Sequence, residues 1–89
     1  MKTLHIVNKS PDQARFGRCL AALEASDQLL LTENAVIALA DAGIVLPSEN
    51  YALAADLEAR GLAGRPTTTV IDYPGMVRLT ADADRIICW

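Results

Sequence analysis

The chain has 89 residues, 52% hydrophobic and 21% charged, so it is too short to divide into two domains and too apolar to stay disordered. Its formal charge is −3, from 8 basic and 11 acidic residues, which argues against tight, direct nucleic-acid binding, since a phosphate backbone is held by clustered Lys and Arg. Fifteen alanines and twelve leucines against 4% aromatic residues give more small aliphatic matter than one small core takes up, and predict a chain that self-associates or binds other subunits.

Leu4, Ile6 and Val7 form a first β-like run. Ser10-Pro11-Asp12-Gln13 then offers an N-cap, a proline at the first helical position and a Gln three residues past the cap, which predicts a helix from Pro11 to Ala25. Leu29, Leu30 and Leu31 make a continuous apolar run of the kind that buried parallel strands show, and Thr32 or Asn34 is placed to cap a second helix ending at Gly43. Asn50 to Leu53 is a further strand candidate, followed by a short helix, Ala54 to Arg60, with Gly61 as its C-terminal glycine. Thr67 to Ile71 is β-branched almost throughout, Met76 to Thr80 predicts a short helix, and Ile86-Ile87-Cys88 a last strand. Strands alternating with helices imply right-handed parallel crossovers, hence an α/β three-layer fold with a mostly parallel sheet of about five strands and helices on both faces, a single domain over 1–89. Ligand chemistry in such sheets gathers beyond the carboxyl ends of the strands, here near Asn8 to Ser10, Thr32 to Asn34 and Asp72-Tyr73.

No apolar run approaches the roughly 20 residues that a membrane helix needs. Met1 to Asn8 lacks the apolar core and small-residue cleavage site of a signal peptide. Cys19 and Cys88 form no C-x-x-C pair and read as two free thiols, which predicts the cytoplasm.

The catalytic inventory is thin. One histidine, two cysteines and no G-x-G-x-x-G, G-x-x-x-x-G-K-[ST] or H-E-x-x-H leave nucleotide-dependent and zinc chemistry without their usual signatures, so neither a cofactor nor a metal is called for. His5 sits mid-strand with no Cys, Asp or Glu spaced to share a metal, and reads as a hydrogen-bonded core or sheet-face histidine. Cys19 is the one sulfur nucleophile of the first crossover, but Phe16, Cys19, Leu20 and Leu23 fall at i, i+3, i+4 and i+7, on the apolar stripe of the helix, where a thiol is a small buried hydrophobe. Cys88 reads as a packing residue of the last strand. Glu33, Asp56, Glu58 and Asp72 lie on different elements and read as solvated or capping groups unless the fold pairs two of them. Asn8-Lys9-Ser10 could hold a small anion on free backbone amides, although a capped turn is the favoured reading.

Taken together, Leu4-His5-Ile6-Val7-Asn8-Lys9-Ser10-Pro11, Tyr51-Ala52-Leu53 with Asp56-Leu57-Glu58-Ala59-Arg60-Gly61-Leu62, Val70-Ile71-Asp72-Tyr73-Pro74-Gly75-Met76-Val77-Arg78-Leu79-Thr80 and a terminal Trp89 resemble, in order and spacing, the DsrH/TusB family, the smallest subunits of DsrEFH- and TusBCD-type sulfur-relay complexes. The resemblance implies a DsrE-like fold and a heterohexamer with TusC/DsrF-like and TusD/DsrE-like subunits. That complex passes persulfide sulfur to a TusE/DsrC-like acceptor, in the one version towards 2-thiolation of the wobble uridine of tRNA and in the other within sulfur oxidation. In both versions the principal sulfur-carrying cysteine belongs to the TusD/DsrE-like subunit. Some DsrH-like members have a cysteine in the first helix, and Cys19 matches that position, so the resemblance makes it an accessory persulfide carrier at most. Three readings follow: a non-catalytic subunit of such a complex, an active sulfurtransferase using Cys19, and a stand-alone binder of a small molecule at the carboxyl edge of the sheet. The chain departs from the family after its second strand, where an acidic residue, Gly and an apolar residue are usual and Glu33-Asn34-Ala35 stands instead. Asn34 is the residue there best suited to a left-handed backbone.

Overall fold

Five strands and four helical segments alternate along the chain in the computed structural model, which describes residues 1–89. They are β1 (Thr3–Val7), α1 (Ala14–Ala22), β2 (Gln28–Leu31), a 3-10 helix η1 (Glu33–Ala40), β3 (Asn50–Leu53), α2 (Ala54–Ala59), β4 (Thr69–Ile71), α3 (Tyr73–Asp82) and β5 (Arg85–Cys88). The strands form one sheet in the order β4-β3-β2-β1-β5, and every neighbouring pair is parallel. The expected α/β architecture is present, with a sheet that is wholly rather than mostly parallel.

The order of the strands fixes which face each helix covers. The connections β1 to β2, β2 to β3 and β3 to β4 all step the same way across the sheet, so right-handed crossovers put α1, η1 and α2 on one face. The last connection steps back over the whole sheet, and α3 therefore lies alone on the other. The core records this division: Val7, Leu29, Leu31 and Ala52 of the strands pack with Phe16 and Cys19 of α1, with Ala35, Val36, Ala38 and Leu39 of η1 and with Leu57 of α2. On the opposite face the apolar residues closed to solvent are Leu4 on β1, Leu30 on β2 and Leu53 on β3, with Gln28 of β2 buried beside Leu4. In the register of the sheet these three climb diagonally from the amino to the carboxyl end, along the path that α3 must take from the end of β4 to the start of β5.

Several local expectations shift. The first helix begins at Ala14 with Gln13 as its cap, not at Pro11. Ser10 is committed elsewhere, its hydroxyl donating to the Asp12 carboxylate, and its carbonyl closes a turn onto the Gln13 N–H at 3.0 Å. The helix also stops at Ala22, since Leu23 is already extended. The second helix has Thr32 at its N-cap position, without a side-chain cap bond, is a 3-10 helix and ends at Ala40 rather than at Gly43. Its buried residues explain the tighter winding: Ala35 with Ala38, and Val36 with Leu39, are three residues apart, so a three-residue turn points both pairs at the sheet. Arg65 holds its far end, donating to the carbonyls of Ala38, Leu39, Asp41 and Ile44.

The third unit is where the sequence placed it, with β3 at Asn50–Leu53 and Gly61 at φ +62° after α2. Helix α3 is longer than Met76 to Thr80, because Asp72 caps it, accepting the Gly75 N–H at 2.8 Å, and Pro74 sits in its first turn. A Cβ on Gly75 would stand 3.0 Å from that of Ile71, so glycine here lets the helix start close against β4. No helix of the protein is long and apolar enough to cross a membrane.

Candidate functional site

An all-parallel sheet delivers the loops after β1, β2, β3 and β4 to one edge, and the chemistry of this chain is found there or beneath it. Three arrangements matter: a buried thiol under α1, a hydrogen-bonded chain from the carboxyl terminus, and two clefts at the carboxyl edge.

Cys19 has no exposed surface, packed in the core that α1 and η1 share with β1 and β2. Burial disfavours its thiolate and pushes the thiol pKa up to about 11. A persulfide donor needs an accessible, ionised sulfur, and this one has neither property. Cys88 is exposed, on the face of the sheet that carries α3, beside Ile6 in the ladder between β1 and β5. The two thiols are free and lie on opposite faces. Cys19 is buried, as its place on the apolar stripe predicts, whereas Cys88, expected to pack, has a solvent-facing side chain.

His5 is a satisfied core histidine with an unforeseen partner. The indole Nε1–H of Trp89 donates to its Nδ1 at 3.1 Å, which leaves the proton on Nε2 to be donated to the Asp27 carboxylate at 2.8 Å. The His5 and Trp89 rings are inclined by 16° with centroids 6.1 Å apart, an edge-to-edge arrangement in nearly one plane. Asp27 also accepts the Glu24 backbone N–H at 3.1 Å. That bond, with His5 and more distant Arg85, holds its carboxyl below the usual aspartate range, against the opposing effect of its burial. Trp89 is held as well by its own N–H, which donates to the Ile6 carbonyl at 2.8 Å and continues the β5 ladder. In sequence, His5, Asp27 and Trp89 are separated by 22 and 84 positions in the bonds they make, and no motif links them; only the register of β1 between β2 and β5 does.

The larger cleft, about 690 Å³, lies between the loop after β1 and η1 and is lined by Ser10, Pro11, Asp12, Asn34, Ile37, Asp41 and Ile44. Two carboxylates in its wall make it unsuited to an anion, and the Ser10 hydroxyl that might have bound one is turned to Asp12. Asn8-Lys9-Ser10 thus leads into a turn closed by the Ser10 carbonyl on the Gln13 N–H, with no side chain capping the helix that follows.

The second cleft, about 410 Å³, opens at the ends of β1, β2 and β3 and is lined by Ile6, Thr32, Glu33, Leu53, Asp56, Tyr73 and Met76. Thr32 anchors its floor by donating from its hydroxyl to the Val7 carbonyl at 3.2 Å. Glu33, not Asn34, adopts the left-handed backbone, with φ +49°, a conformation that costs a residue with a Cβ about 1–2 kcal/mol. The Asp56 carboxylate holds that turn by accepting the Glu33 N–H at 2.8 Å. Asp56 is itself 3.8 Å from the Arg60 guanidinium, and Arg60 binds the Asn34 side chain with two N–H groups. Of the four scattered acids, the fold thus brings Glu33 and Asp56 together, gives Asp72 to the α3 cap and leaves Glu58 exposed. No cysteine lines either cleft, and no three His, Cys, Asp or Glu side chains are grouped to hold a metal ion.

Comparison with known proteins adds identity to this geometry. A family profile described as "DsrH like protein" matches residues 9–86. The chain is 37% identical over 94 aligned positions, spanning 97% of this chain and 99% of the relative, to "Protein TusB" of Escherichia coli O1:K1 / APEC. "Protein TusB" of Shigella sonnei (strain Ss046) shows the same identity and coverage.

Proposed function

Because this chain belongs to the DsrH family, we propose that it is a non-catalytic subunit of a cytoplasmic sulfur-relay complex of the TusBCD type, acting in 2-thiolation of the tRNA wobble uridine. The family match over nearly the whole length carries the reading. In this account the chain assembles with TusC/DsrF-like and TusD/DsrE-like subunits into a heterohexamer, and a TusE/DsrC-like protein takes the sulfur onward. The net charge of −3 fits a component that leaves tRNA to other proteins.

The geometry supports a structural rather than a chemical role. Transfer of persulfide sulfur requires a thiolate to attack the outer sulfur of a donor persulfide, releasing the donor thiolate. Cys19 is sealed in the core with a raised pKa, so neither donor nor acceptor reaches it. In this reading it serves as a core residue and not as a sulfur carrier. A second reading, a subunit of a DsrEFH-type complex in sulfur oxidation, uses the same scaffold and differs in the acceptor pathway.

The test is the 2-thiouridine content of tRNA in a strain deleted for this gene and complemented with wild type, Cys19→Ser or Cys19→Ala. All three are expected to restore thiolation once the complex assembles, whereas mutating the TusD-like subunit's sulfur-carrying cysteine abolishes it. Loss of thiolation in a Cys19→Ala complex that assembles normally would make this chain an active sulfurtransferase. Unchanged thiolation after deletion of the gene would move the function to sulfur oxidation.

A further inference from the structure

The cleft at the ends of β1, β2 and β3 has a feature that the sulfur chemistry does not use. Its interior is apolar, formed by Ile6, Leu53 and Met76 with Tyr73 beside them, and its one uncommitted charge is the carboxylate of Glu33. Asp56, the other acid of the lining, is occupied by the Glu33 N–H and by Arg60. Glu33 contributes only its backbone N–H to hydrogen bonds within the chain, and its side chain takes part in no ion pair. An open cleft whose lining combines apolar side chains, an exposed carboxylate without a partner in the chain and an aromatic residue matches the chemistry of a long basic side chain, with methylenes against the apolar lining and a cationic head for the carboxylate. The volume of about 410 Å³ is at the small end of the roughly 300–1,000 Å³ spanned by ligand pockets.

The surroundings indicate a lasting partner. Tyr73, Val77 and Ile86 are 56%, 61% and 42% exposed, and all three lie on the side of the sheet that only α3 covers. Permanent subunit interfaces are the apolar ones, and transient contacts are more polar.

We propose that this cleft is the socket for a lysine or arginine side chain of a permanently bound neighbouring subunit, with Glu33 as its charge partner. The inference rests on the reading of the chain as a subunit of a multi-subunit complex, and it names the contact through which that assembly is held.

The test uses the full chain assembled with its co-produced TusC- and TusD-like subunits. Binding is measured against salt for wild type, Glu33→Gln and the control Asp82→Asn, and hydroxyl-radical footprinting follows Met76 and Tyr73. Glu33→Gln keeps the side-chain length and the backbone position while removing the charge. The expected result is binding weaker by about tenfold or more at low salt for Glu33→Gln, a difference that shrinks in high salt, with Asp82→Asn unchanged and with Met76 and Tyr73 protected on assembly. Unchanged binding of Glu33→Gln, or Met76 and Tyr73 remaining reactive in the assembled complex, would overturn the socket while leaving the subunit reading intact. Protection already present in the isolated chain and lost on dilution would assign the cleft to a second copy and overturn it too. Failure of the wild-type chain to bind either related subunit would remove both.

Discussion

Two residues of the same type have opposite fates, and the difference follows from periodicity. Cys19 shares the inward face of α1 with Phe16, whereas Cys88 alternates outward on β5. With a pKa of about 11, the Cys19 thiolate is on the order of one part in ten thousand at pH 7. A maleimide at neutral pH is therefore expected to label one thiol per folded chain, at Cys88, and two after denaturation; rapid labelling of Cys19 in the folded protein would contradict its burial. Asp27 gives a second residue-scale prediction. Its folded pKa is lowered, so its contribution to stability is complete above the unfolded value of about 3.9 and is lost as pH falls through the folded value. Asp27→Ala leaves the His5 Nε2–H and the Glu24 N–H without their acceptor, at a cost of about 2–3 kcal/mol at pH 7. The deficit should shrink towards pH 3, which urea denaturation at both pH values would measure. The apolar stripe of α1 was legible because Phe16 and Cys19 repeat at helical spacing. The His5, Asp27 and Trp89 chain was not, because its members meet only through strand register.

At the scale of elements, the strands were read more accurately than the helix ends. Alternation and β-branching are properties of the strand residues themselves, and Asn50–Leu53 has the bounds expected of it. The ends of α1 and η1 depend on distant or competing partners. Ser10 bonds Asp12 instead of capping, and η1 is closed by Arg65, which arrives from the far side of α2. Nothing near Ala38 or Ile44 in the sequence announces that arginine. Arg65→Ala takes a donor from four carbonyls, of which those of Ala38 and Asp41 keep a backbone N–H and those of Leu39 and Ile44 lose their bond to Arg65, and should cost about 1–2 kcal/mol, with hydrogen exchange rising first in Glu33–Ala40; a variant as stable as wild type would show that water replaces the guanidinium. The turn after β2 shows the same limit. Asn34 was the expected left-handed residue, yet Glu33 takes that backbone because Asp56 captures its N–H. Replacing Glu33 by glycine removes the Cβ penalty and should stabilise the isolated chain by up to about 1 kcal/mol, read as a higher melting temperature. A lower one would show that the Glu33 side chain contributes more to the isolated fold than its backbone costs.

For the molecule as a whole, unequal covering of the sheet connects composition to assembly. Three helical segments and most of the core lie on one face, and a single helix crosses the other. Ile6, in the lining of the second cleft, is only half-buried, and Ile86 and Cys88 of β5 are exposed. The large share of aliphatic residues in so short a chain is thus left partly at the surface, as the composition led one to expect. The fold was legible from the order of elements, and the family from the spacing of motifs along the whole length. The clefts were not legible, since they are made by side chains from three or four separate loops. The central claim, that this chain works as a bound subunit of a sulfur-relay complex, is tested most directly by purifying it, tagged at its chromosomal locus, from the native cell and identifying its stoichiometric companions by mass spectrometry. One TusC/DsrF-like and one TusD/DsrE-like subunit are expected in equal amounts with this chain. Recovery of the chain alone, as a monomer at every concentration, would contradict that claim.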